Sequence, residues 1–126
     1  MQYLVLIYNN PAVVEMFAGM TDEERRRAFQ IYWDVDSELE ASGELVDSKA
    51  IDDRSQQAVR RGPDGPVVSD APVPDSAEVV SGYYLVDVVD IARAHEIAAR
   101  FPEAAVDGGI RVARALTQED FDAIGM

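Results

Sequence analysis

Residues 2 to 8 set the terms of the fold. Tyr3, Val5 and Ile7 alternate with Leu4, Leu6 and Tyr8, so a strand built from them is apolar on both faces. Such a strand belongs inside a sheet with cover on each side. After Asn9-Asn10-Pro11, read as a loop, Thr21-Asp22-Glu23-Glu24 forms a capping box. The threonine oxygen and the glutamate three residues on satisfy amides that the first helical turn leaves unpaired. A helix over about Asp22 to Ser42 follows, with Ala28, Tyr32, Val35 and Leu39 as its inner face and Gly43 placed to end it in a left-handed conformation.

Leu45, Val46 and Ile51 predict a strand, and Gln57 to Arg61 with Pro66 to Val68 flank the turn Gly62-Pro63-Asp64-Gly65 as a hairpin. Residues 69 to 77 hold two prolines and no periodicity, which predicts an ordered loop. Val79 to Val88 then reads as a long strand. Asp90 caps a helix over Ile91 to Arg100 with Ile91, Ala94, Ala98 and Phe101 as its inward stripe, and Pro102 ends it. Gly109 to Leu116 returns as a strand. The order of elements fits an α+β fold, a ferredoxin-like two-layer sandwich with both helices on one sheet face. Residues 1–116 form this domain, and 117–126 make a C-terminal tail with a helix-like pattern at Phe121 and Ile124, placed either to dock on a partner subunit or to fray.

The chain's 126 residues suffice for one compact domain. Its net charge is −13, from 24 acidic against 11 basic side chains. A surface of that sign repels polyanions, and the basic triplet Arg25-Arg26-Arg27 lies among acids at a helix start, so no nucleic-acid partner is expected. No apolar stretch approaches the roughly 18 residues of a membrane span, and the opening carries no secretory pattern, so a cytoplasmic location without membrane attachment is expected. Having no cysteine, the chain forms neither disulfides nor thiolate metal sites. Its single histidine, His95, builds no multi-histidine metal centre, and neither metal nor cofactor is expected.

The run from Ser69 to Leu85, S-D-A-P-V-P-D-S-A-E-V-V-S-G-Y-Y-L, resembles in order and without a gap the signature Thr-Asp-Gly-Pro-Phe-x-Glu-Thr-Lys-Glu-x-x-x-Gly-Tyr-Tyr of the YCII-related family and its DGPF branch. The likeness extends to the opening strand, to Leu39-Glu40-Ala41-Ser42-Gly43 and to Ala94 through Pro102. It implies a dimeric α/β barrel, a homodimer whose two sheets close against each other and cover the second face of the first strand. This chain is a divergent member: Ala71, Val73 and Ala77 replace the signature's glycine, phenylalanine and lysine. Tyr32 stands eleven residues before Gly43, where the YciI-like branch has an active-site histidine, and Phe101 stands where that branch has an aspartate before proline. Both polar partners of a His–Asp mechanism are therefore read as missing.

Asp70 matches the signature aspartate and is one catalytic candidate, as a general base or polar anchor. Its other reading is a loop cap bonded to nearby amides. His95 is the second catalytic candidate because of its intrinsic pKa, with a boundary position on the second helix as the alternative. Tyr8, Tyr32 and Tyr83 are candidate ligand contacts, and all three also read as packing residues. Arg111 is placed to pair with an acid of the signature run or to meet an anionic ligand. The resemblance implies a small-molecule-binding domain acting as a cofactor-independent isomerase, dehydratase or lyase. The alternative is a non-catalytic interaction domain, since some DGPF relatives are associated with sigma factors.

Overall fold

A computed structural model describes residues 1–70 and 78–125 of the chain. Its centre is a four-stranded antiparallel sheet of β1 (Gln2–Asn9), β2 (Leu45–Ala50), β5 (Val79–Asp87) and β6 (Ile110–Arg114), in the order β2-β5-β1-β6. The remaining two strands, β3 (Gln57–Gly62) and β4 (Gly65–Asp70), pair only with each other as a separate ribbon. The order is compatible with a ferredoxin-like arrangement, in which strands joined through helices are not sheet neighbours.

One face of the sheet carries the core. Tyr3, Val5 and Ile7 of β1 and Tyr84 and Val86 of β5 are buried there against Val35 and Leu39 of α2 (Asp22–Ser42) and Ala94, Ile97 and Ala98 of α3 (Ile91–Ala98). Each large aliphatic side chain so buried contributes about 1.5–3 kcal/mol. On α3 the stripe differs from expectation at its start: Ile91 stands 48% exposed and Ile97 takes the inward position. Asp90 caps the helix, so Ile91 lies in the first turn, ahead of the stretch that crosses the sheet. Ion pairs from Arg93 to Glu44, at 2.9 Å, and from Arg100 to Glu38 tie α3 to α2 and its end.

Asn9-Asn10-Pro11 opens a helix instead of forming a loop. The Asn10 side chain accepts the Val13 N–H at 2.8 Å, and Pro11 occupies the first turn of α1 (Pro11–Ala18), where its missing N–H is not needed. In α2 the capping box forms as the sequence indicates, with Glu24 N–H donating to Thr21 Oγ1 at 3.1 Å and Thr21 N–H to Glu24 Oε1 at 3.3 Å. Gly43 ends the helix at a φ of 78°. Thr21→Ala removes one half of the box and is expected to cost about 1 kcal/mol, read as a lower urea midpoint at unchanged slope.

Among the described residues, no helix packs on the second face of the sheet. Lys49, Tyr83, Leu6 and Arg111 form one cross-strand row there, with Leu4, Leu85 and Tyr8 nearby. The ribbon leaves Val59, Val67 and Val68 exposed. Of the loop expected over 69–77, Ser69 and Asp70 belong to β4, and the rest lies outside the described residues. The tail forms α4 (Gln118–Ala123) behind a Thr117 cap, anchored by Arg114 to Asp120 at 2.7 Å. That guanidinium holds the Asp120 carboxyl well below its usual range. No helix among the described residues is long and apolar enough to cross a membrane.

Candidate functional site

Between α1, α2 and the β2 edge of the sheet lies a cleft of about 850 Å³. Its floor is set by the signature glycine. Ala50, Gly82 and Ile7 align across β2, β5 and β1, and with no side chain at Gly82 the floor stays low. A Cβ built there meets Lys49 O at 3.2 Å and the Ile7 Cδ1 at 3.8 Å. The next two residues divide between the sheet faces because a strand alternates. Tyr84 turns into the cleft, whereas Tyr83 turns to the uncovered face and donates to Asp47 Oδ2 at 2.7 Å.

Two phenols meet two carboxylates in the cleft. Tyr84 donates to Asp36 Oδ1 at 2.6 Å, and the Tyr32 hydroxyl lies 2.5 Å from both oxygens of Glu103. Glu103 is only 6% exposed. Burial pushes its carboxyl above the ordinary 4.5, with the Tyr32 hydrogen bond opposing that rise. Both phenols are pushed above their ordinary value, first by burial and then by the carboxylates that accept their protons. Phe101 stacks between them, its ring centroid 5.7 Å from that of Tyr32 and 4.7 Å from that of Tyr84.

Glu103 is a residue of the cleft that sequence reasoning missed. The position before Pro102 is apolar, as read, but Pro102 starts a 3-10 turn over Pro102–Ala105, and that turn swings the carboxylate one residue beyond it onto Tyr32. A polar partner for Tyr32 is thus present after all, from the other side of the proline. Gly109 holds the turn in place, since a Cβ there would lie 2.1 Å from Glu103 O. The pair Gly108-Gly109, which offers no phosphate-binding pattern, was the one sequence signal for this close approach.

The sequence-derived candidates are dispersed. Tyr32 lines the cleft. Tyr8 and Arg111 come together on the uncovered face, the guanidinium 4.7 Å from the ring centroid, and Arg111 also pairs with Glu78 of the signature run. Tyr83 shares that face. Asp70 is exposed at the end of β4, opposite Gln57, and His95 is exposed on α3; neither lines the cleft, and the fold does not bring them together. Among the described residues no three His, Asp or Glu side chains gather as a metal-binding group.

An acid and a phenol at the bottom of an apolar cleft can bind a small molecule and pass a proton to it. No curated protein matches the chain at a significant level. The model of the YCII-related domain matches residues 1–118, which takes in every side chain of the cleft. By that match over nearly its whole length, the chain belongs to the YCII-related domain family.

Proposed function

We propose that the protein binds a small metabolite in the cleft and moves a proton on it without a cofactor, as an isomerase, dehydratase or lyase. The observation that carries this reading is the Glu103 carboxylate, 6% exposed and 2.5 Å from a phenol that faces the cleft. Burying an acid is costly, and a purely structural site would be served as well by a neutral amide. In the proposed step a substrate C–H proton passes to the Tyr32 oxygen while the Tyr32 proton passes to Glu103. The electron pair left on carbon either is reprotonated at a neighbouring position, giving isomerisation, or expels a leaving group, giving elimination.

The same proposal makes the protein a homodimer closed through the uncovered sheet face. Supporting it, Leu4, Leu6 and Leu85 form an apolar strip on that face with no helix above them among the described residues. One measurement tests both parts: native mass spectrometry of protein purified gently from its own host. The expected result is twice the 13.8 kDa subunit mass plus a retained molecule. Gly82→Val places two methyl groups above the cleft floor and is expected to weaken retention at least about tenfold, with the dimer and far-ultraviolet dichroism unchanged. Retention by Gly82→Val equal to the parent chain would remove the cleft as the site.

A further inference from the structure

The walls of the cleft narrow the class of ligand, on the footing that the cleft is a binding site as just proposed. One wall is aromatic. Phe17, Phe29 and Tyr32 stack in series at 5.8 and 6.4 Å, and Trp33, the sole tryptophan, lines the mouth while 67% exposed. Such faces carry partial negative charge and attract flat rings and organic cations.

The phenols and carboxylates of the cleft present acceptors. Both phenol protons are directed to carboxylates, so Tyr32 and Tyr84 offer lone pairs to a ligand. Asp36 uses Oδ1 for Tyr84, and its Oδ2 takes no protein donor among the described residues. Asp53 uses Oδ2 for the Asn9 amide at 2.8 Å, which engages one of the donors the cleft has. Charge points the same way. Asp36, Asp53 and Glu103 line the cleft together with Lys49 and the exposed Arg54, and the Lys49 ammonium is engaged 3.2 Å from Asp47, so the lining acids outnumber the cations. A net charge of −13 adds a long-range field that draws cations and repels anions.

From the aromatic wall, the phenol and carboxylate acceptors and the excess of lining acids over cations together, we infer that the cleft takes a protonated amine carried on an aromatic or apolar body. Its N–H groups donate to Asp36 and Asp53, and its body lies along Phe29 and Trp33.

The test is to titrate the full chain at pH 7 with 2-phenylethylamine, 2-phenylethanol and 3-phenylpropanoate, three probes of similar shape and different charge, following Trp33 emission. The ammonium is expected to bind about tenfold or more tightly than the alcohol, as a charge-assisted hydrogen bond implies, with the carboxylate weakest. Asp53→Asn, which keeps the side chain's shape, is expected to lower the preference for the ammonium over the alcohol by about threefold or more and to leave alcohol binding in place. Equal or tighter binding of the carboxylate or the alcohol overturns the inference and leaves the cleft standing as a site. Failure of all three probes to perturb Trp33 overturns the inference together with the binding reading on which it rests.

Discussion

Phe101→Ala is expected to destabilise the protein by about 3–5 kcal/mol, a large share of the roughly 5–15 kcal/mol that holds a domain of this kind folded. The side chain is 2% exposed and among the largest that the fold buries completely. It lies where α3 ends and the Pro102 turn begins, stacked on Tyr32 of α2 and Tyr84 of β5. Truncation therefore leaves a cavity between two helices and the sheet, none of which can move in without breaking other contacts. Chemical unfolding should show a lower midpoint at unchanged slope, and the melting temperature should fall by about 10 °C or more. A loss below about 1 kcal/mol would mean that the neighbouring rings collapse into the space, contrary to the rigid stack described above.

The same substitution reaches the site. Each phenol is held against Phe101 on one side and by its carboxylate at the hydroxyl end. Without the ring between them, both keep a hydrogen bond but lose the surface that fixes their angle. Binding in Phe101→Ala should weaken even at temperatures where the variant is fully folded, whereas Phe101→Leu, which refills most of the volume, should recover stability more completely than binding.

This division between core and site also explains what the sequence reveals. The strands and the long helix α2 are legible because each rests on a pattern: the alternation of residues 2 to 8, the capping box at Thr21, and the buried positions Ala28, Val35 and Leu39. Local signals of a single residue fare less well. α1 begins at Asn9-Asn10-Pro11, where proline and asparagine suit a loop and a helix start equally, and only the Asn10 cap decides. Ile91 looks periodic but falls in the turn before the stripe settles. Tyr32 is visible from sequence as a departure from its relatives; its partner is not. Glu103 is one of 24 acidic residues, and nothing in its neighbourhood marks it as buried until the 3-10 turn brings it back against α2. A pairing of this sort joins residues 71 positions apart and leaves no periodic trace.

Glu103→Gln separates the fold from the chemistry at this one position. The amide keeps the shape and still accepts the Tyr32 proton in a hydrogen bond, yet it cannot take that proton away. Turnover of the compound that the protein retains should fall about 10²- to 10⁴-fold, the usual worth of a general acid or base. Stability should move in the other direction as pH rises. Because the Glu103 carboxyl is pushed above 4.5 by burial, the native state holds a proton there that the unfolded chain has already released. The stability tied to that proton is fully present below pH 4.5 and is lost as pH climbs through the raised value. Glutamine has no such titration. Urea midpoints measured from pH 4 to pH 8 should therefore show Glu103→Gln gaining on the parent chain as pH rises, then running parallel to it. A variant that is comparatively more stable at neutral pH and much less active is what a carboxylate used for proton transfer predicts, since the fold itself would do better without the buried charge. If the variant instead kept its turnover, Glu103 would be only a packing partner for Tyr32 and the proton-transfer reading would fall. If it fell behind the parent at every pH, the Tyr32 hydrogen bond to the charged acid would outweigh the cost of burying it, and the carboxylate would be needed by the fold itself.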